Sequence, residues 1–190
     1  MGKLIYLMNV SLDGFIETPD HSLDWTTVDE EIHTWFNDQS RQTAAFLYGR
    51  RLYEVMAAYW PHAESDPTAT DYMLEFGRTW LRTPKIVFSS TLTEVDWNSR
   101  LVRTDPIDEL PRLRAEFDGD LSVAGPRLAS AFIRADLVDE YRQVVHPVIL
   151  GAGTPFLPAT ERPLRLDLTE VRRFRSGACY LGYRRVAGSS

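Results

Sequence analysis

An α/β three-layer sandwich, with a mixed and mostly parallel sheet ending in an antiparallel carboxy-terminal hairpin, is the fold class this sequence predicts. Two observations carry it. Short apolar runs of strand length alternate with stretches whose apolar residues recur at helical spacing, which implies parallel strands whose connecting helices cover both faces of a sheet. Near the carboxy terminus that alternation gives way to two strand-like segments around Ser176-Gly177, the pattern of a hairpin. A chain of 190 residues suffices for one well-buried core, so a single domain over residues 1–190 is expected.

Lys3 to Val10 ("KLIYLMNV") reads as a strand buried on both faces, followed by a turn at Asp13-Gly14. Thr27 with Glu30 three residues later reads as a capping box, which predicts a helix from Val28 to about Gln39. "AAFLYG" is a second buried strand ending at Gly49. Beyond it, Leu52, Val55, Met56 and Tyr59 form one apolar stripe on a helix that should stop before Pro61. The polar stretch Pro61 to Asp71 reads as a loop.

Lys85 to Ser90 ("KIVFSS") is the next strand, and Asp105 with Pro106 opens a helix running to about Phe117. Leu121 to Gly125 is a strand, Pro126 starts another helix, and Asp136 marks its end. "VDEYRQVVHPVIL" reads as one long strand from Val138 to Leu150, and "GAGTPF" as a loop whose glycines permit close approach. The hairpin strands are about Leu164 to Arg175 and Ala178 to Val186.

Charge and composition exclude several classes of function. With a net charge of -6 and 25% charged residues, the chain lacks the clustered positive face that general nucleic-acid binding needs. Arg172, Arg173 and Arg175 read as a solvated strand face. No apolar run approaches the length of a membrane span, and the amino terminus does not resemble a signal peptide, so a cytoplasmic protein is expected. The single cysteine, Cys179, has no internal disulfide partner. His21, His33 and His62 show no metal-ligand spacing, and no metal site is expected. His146, before Pro147 in a buried strand, reads as a satisfied core residue.

Ligands of such sheets bind beyond the carboxyl ends of the strands, so the strand-to-helix junctions are the informative positions. Three stand out. At Gly49-Arg50-Arg51 a helix start offers free N–H groups and its positive dipole end, and an arginine adds bidentate bonds to phosphate. Arginine in a first helical turn opposes the dipole, so this placement needs a reason. Ser89-Ser90-Thr91 places three hydroxyls just past a strand, and Ala124-Gly125-Pro126-Arg127 again leads a glycine into a helix. Together they point to a phosphate-rich cofactor.

"SLDGFIE", "YGRRLYEVM", "KIVFSSTL", "VAGPRLASAFIRADLVDEY" and "HPVILGAGTPFL" occur in this order along nearly the whole chain. The ordered set resembles the dihydrofolate reductase-like superfamily, in the branch of the carboxy-terminal reductase domain of the riboflavin-biosynthesis deaminase-reductase. The resemblance implies an NADPH-dependent reductase acting on a pyrimidine- or pteridine-like substrate, similar to 5-amino-6-(5-phosphoribosylamino)uracil reductase. It also implies a homodimer, to which the "ACYLGY" hairpin would contribute. Without a deaminase domain, such an enzyme would act as a stand-alone reductase.

Carried over by position, Gly49, Arg50 and Arg51 would hold cofactor phosphates, with Ser89 and Ser90 near the adenosine 2'-phosphate. Gly125, Pro126 and Arg127 would pass under the pyrophosphate, and Gly151, Gly153 and Thr154 would line the far wall. Asp13, Gly14 and Phe15 would form the loop over the nicotinamide, with Trp25 at the substrate end. Among the first-helix carboxylates Asp29, Glu30 and Glu31 the register leaves the choice open; Asp13, Trp25 and Glu30 make up the candidate catalytic set. Two positions depart from the family pattern: Leu52 stands where a hydroxyl residue is common, and Ala124 where a glycine is. A folate reductase or other small-molecule reductase on the same fold, and a non-catalytic nucleotide-binding protein, remain alternatives.

Overall fold

The computed structural model describes residues 2–186. Its strands are β1 (Leu4–Ser11), β2 (Phe15–Glu17), β3 (Thr43–Gly49), β4 (Lys85–Phe88), β5 (Ser99–Val102), β6 (Asp120–Ala124), β7 (Glu140–His146), β8 (Thr154–Pro155), β9 (Leu166–Arg173) and β10 (Cys179–Arg185). The helices are α1 (Glu30–Arg41), α2 (Arg50–Tyr59), α3 (Asp71–Arg82), α4 (Pro106–Glu116) and α5 (Pro126–Arg134), with a 3-10 segment at Trp60–Ser65.

Eight strands form one sheet in the order β5-β4-β3-β6-β1-β7-β10-β9, and β2 pairs with β8 apart from it. The six strands from β5 to β7 run parallel, while β10 is antiparallel to both β7 and β9. Strand alternation divides the side chains between two layers. Leu4, Tyr6, Ala45, Leu47 and Val123 face α4 and α5, whose Leu110, Leu113, Leu128 and Phe132 complete one core. On the opposite face Ile32 and Trp35 of α1 meet Val144 and Tyr180, and Tyr53 and Trp80 of α2 and α3 meet Phe46 and Tyr48. The mixed three-layer architecture is thus the one predicted. Among the described residues no helix is long and apolar enough to cross a membrane.

Several boundaries differ from the sequence reading. The cap of α1 is Asp29 rather than Thr27: its carboxylate accepts from the Ile32 N–H at 3.0 Å, so Glu30 is the first helical residue instead of the closing half of a capping box. On α2, Val55 is 52% exposed, and the buried residue is Tyr53, whose hydroxyl accepts from the Asp96 N–H at 2.8 Å. Pro61 does not open a loop. It occupies the first turn of the 3-10 segment, where its missing N–H costs no bond.

Helix α3 and strand β5 were not anticipated. Met73, Phe76, Gly77 and Trp80 in α3 have the helical spacing that would have shown it, whereas β5 has only four residues, three of them half-exposed. Strand β4 ends at Phe88, leaving Ser89 and Ser90 beyond it. Strand β7 stops at His146 because Pro147 cannot continue the ladder, and the Val148 N–H turns back to the His146 carbonyl at 2.8 Å.

One buried cation joins α3 to the sheet. Lys85 opens β4 with no exposed surface, its ammonium 4.1 Å from the Trp80 ring centroid and donating to the Trp80 carbonyl at 2.5 Å and the Thr83 carbonyl at 2.9 Å. Burial pulls its pKa down to about 8. These carbonyls lie at the end of α3, where intrahelical donors run out and a cation complements the dipole. Lys85→Met keeps the volume and removes the donor. It is expected to cost about 1–3 kcal/mol for the carbonyls left unpaired, read from urea unfolding at pH 7; unchanged stability would show that the burial cost of the ammonium cancels its bonds.

Candidate functional site

Parallel register brings the three sequence junctions together. Tyr48 pairs with Ala124 and Gly49 with Phe88, so β3, β6 and β4 end at one level. From that line α2 and α5 start side by side. Their N-caps, Gly49 and Gly125, have no side-chain oxygen to cover the first N–H groups, which leaves donors open at both helix starts.

Gly125 has φ 93°, a conformation costly for any residue with a Cβ, although a methyl there would meet only Leu52 at 3.6 Å. Leu52 and Ala124 pack into the aromatic layer of Phe46, Tyr48, Tyr53 and Trp80. The two departures from the family pattern therefore complete an apolar cluster beneath the helix starts.

The cations around this line differ in their partners. Arg50 is exposed and lies 3.5 Å from Glu54 one turn along α2. Arg127 is exposed and has no ion pair among the described residues. Arg51 forms a bidentate pair with Glu17, at 3.1 and 2.9 Å. The Ser89 hydroxyl accepts from the N–H groups of Thr91 and Leu92, so it builds the turn after β4, and Ser90 is exposed. Arg103, absent from the sequence reading because β5 was not recognised, holds the same turn by donating to the carbonyls of Ser89, Ser90 and Leu92.

Two carboxylates organise the opposite wall. Asp13 accepts from the Ser11 hydroxyl at 2.7 Å and from the N–H groups of Leu150 and Gly151 at 3.1 and 2.7 Å. The Ser11 bond, with the two backbone bonds, holds the Asp13 carboxyl below the usual range. Glu17, only 8% exposed, accepts from Thr154 Oγ1 at 2.6 Å besides Arg51. Burial pushes its pKa up, but the bonds from Thr154, Arg51 and His21 outweigh that and keep it low. The loop bearing Gly151 and Gly153 is thus fastened to the SLDGFIE segment. A Cβ on Gly153 would stand 2.0 Å from the Glu17 carbonyl, so glycine is required there.

On the α1 side of the sheet, Trp25 meets His146 edge-on at 5.6 Å. His146 is buried; its Nε2–H donates to Asn9 Oδ1 at 2.9 Å, while Nδ1 has no partner among the described residues, and neither does the Trp25 indole N–H. The reading of His146 as satisfied is therefore correct for one nitrogen only. Asp29, beside this pair at the start of α1, opposes the effect of burial on the imidazole. Glu31 is occupied by Arg172 and Arg175 of the hairpin, and Glu30 is exposed with no bonded partner among the described residues.

Comparison with known proteins agrees with the fold. The profile of the RibD C-terminal domain matches residues 2–180. The uncharacterized protein YyaP of Bacillus subtilis (strain 168) is 31% identical over 182 residues, 95% of this chain and 94% of its own. A crystal structure from Shewanella sp. PV-4, whose name refers to riboflavin biosynthesis, superposes with a TM-score of 0.77 at 22% identity over 97% of this chain and 99% of its own. Dihydrofolate reductase from Enterococcus faecalis, complexed with NADP(H), superposes at 0.64 with 13% identity over 97% and 96% of the two chains. At these identities the structural likenesses concern the fold.

His146 gives this region a pH signature. Burial holds its folded pKa below the usual value near 6.5, so the unfolded chain binds a proton that the folded chain resists, and stability falls as pH drops through that value. Relative to a His146→Gln variant, the wild type is expected to lose stability between pH 7.5 and 5, by at most about 1.4 kcal/mol per pH unit. Parallel urea-unfolding curves at the two pH values would contradict it.

Proposed function

The chain belongs to the RibD C-terminal domain family, and from that premise we propose that it is an NADPH-dependent reductase of a pyrimidine- or pteridine-like small molecule, similar to the reductase of riboflavin biosynthesis. The observation that carries this reading is the pair of glycine-capped helix starts at the ends of β3 and β6, flanked by Arg50, Arg51 and Arg127. Open N–H groups, a glycine whose φ admits close backbone approach and adjacent guanidinium groups suit a diphosphate. NADPH, when bound, supplies a hydride.

The chain's own residues bind and orient. The N–H groups of Arg50 and Arg51 at the start of α2, those of Arg127 and Leu128 after Pro126, and the three arginine side chains hold phosphate, with Ser89 and Ser90 beside the 2'-phosphate. Asp13, by fixing Leu150 and Gly151, keeps the SLDG turn and the Gly151–Thr154 wall in place. Toward α1, His146 Nδ1 is an acceptor and the Trp25 N–H a donor, both buried and without a partner among the described residues. Glu30 is the exposed α1 carboxylate available to a substrate. In a nicotinamide-fluorescence titration the protein is expected to prefer NADPH over NADH, and Arg50→Ala or Arg51→Ala to reduce that preference about 10-fold. Absence of binding to either nucleotide would refute the reading, as would equal binding of both. Oxidation of NADPH with the riboflavin-pathway aminopyrimidine ribosyl phosphate, compared with dihydrofolate, identifies the substrate.

We also propose that the protein is a homodimer joined through the hairpin. A bulge opposite Gly182 and Tyr183 places Leu168 and Val171 on the same face as Leu181 and Tyr183, and these two β9 residues are 56% and 59% exposed. Sedimentation should give a dimer for the wild type and a monomer for Val171→Asp; a wild-type monomer would end this proposal.

A further inference from the structure

The start of α2 already has an anion, supplied by the chain itself. Glu17 of β2 grips the guanidinium of Arg51 through both oxygens, occupying the fork that a phosphate would take. The same carboxylate holds Thr154 of β8 and contacts His21, which has φ 68°, beyond the end of β2. The small β2–β8 flap is thereby tied to the helix whose first turn faces the proposed cofactor.

We propose that Glu17 is an internal counter-anion displaced from Arg51 when a phosphate binds, so that phosphate entry detaches the β2–β8 flap from the start of α2. This rests on the reading that a phosphate-bearing cofactor binds at that helix start. The exchange does not strand a buried charge. Thr154 Oγ1 continues to donate to Glu17 at 2.6 Å. His21 Nδ1 lies 2.9 Å from Glu17 Oε1 and 3.0 Å from Arg51 Nη1, and one nitrogen cannot donate to the first while accepting from the second. With its proton on Nδ1, His21 donates to Glu17 and remains beside it when Arg51 leaves, as Thr154 does. Glu17 is therefore a positioning residue, acting on phosphate through Arg51.

The test is a double-mutant cycle read by calorimetric titration with inorganic pyrophosphate and, separately, with NADPH. Glu17→Gln is expected to tighten pyrophosphate binding by about 5-fold or more, and that gain should vanish in the Arg51→Ala background. No gain, or a gain of equal size without Arg51, overturns the proposal; the latter would mark a through-space charge effect. Should Glu17→Gln fail to fold, Glu17→Asp, which withdraws the carboxylate by one methylene, is expected to give the same gain. If pyrophosphate shows the expected cycle while NADPH binds neither protein, the counter-anion role stands and the cofactor reading fails.

Discussion

Parallel register between β3 and its two neighbours is the constraint on which the site depends. Because Gly49 lies level with Phe88 and Tyr48 with Ala124, three chain reversals distant in sequence emerge along one line. Parallel strands need crossovers, and the crossovers here are helices that begin where the strands end. Two helices therefore start from that line. Register of this kind is maintained by the cores on both faces, since a slip of one residue would turn Leu47 and Val123 out of one layer and Phe46 and Tyr48 out of the other.

Charge is arranged against the overall acidity of the chain. Most arginines have a carboxylate within ion-pair distance, and the exposed pairs, as at Arg78, Arg100 and Arg184, contribute little. At the carboxyl edge of the sheet the matching is looser: Arg127 is unpaired among the described residues, Arg50 has only a long contact, and Arg51 is matched by a carboxylate drawn in from another element. An acidic protein can in this way keep a local anion site, because the field near the site is set by the nearest charges and the rest are screened within about a Debye length.

The buried Lys85 and Glu17 and the exposed Asp13 are saturated with hydrogen bonds, and each fastens one segment to another: α3 to β4, β2 to both β8 and α2, and the SLDG turn to the loop after β7. His146 and Trp25 instead keep a nitrogen each without a partner inside the protein. Saturated groups rigidify a scaffold.

The sequence by itself determined the layers and the starts of α2, α4 and α5. Apolar runs at strand length, a stripe at helical spacing and Pro126 after Gly125 are local signals, carried by neighbouring residues and the sterics of one or two peptide units. Local reasoning also reached Arg50, Arg51 and Thr154 through motif order, but it set the cap of α1 two residues early, since Thr27 and Asp29 are both good caps and only packing chooses the entry angle. Tertiary structure alone decided the partners. Glu17 and Arg51 are 34 residues apart, Asp13 and Gly151 are 138 apart, and Asn9 and His146 are 137 apart. Such pairs leave no trace in periodicity, because each depends on which strands become neighbours and at what register, and that is settled by burial over the whole sheet.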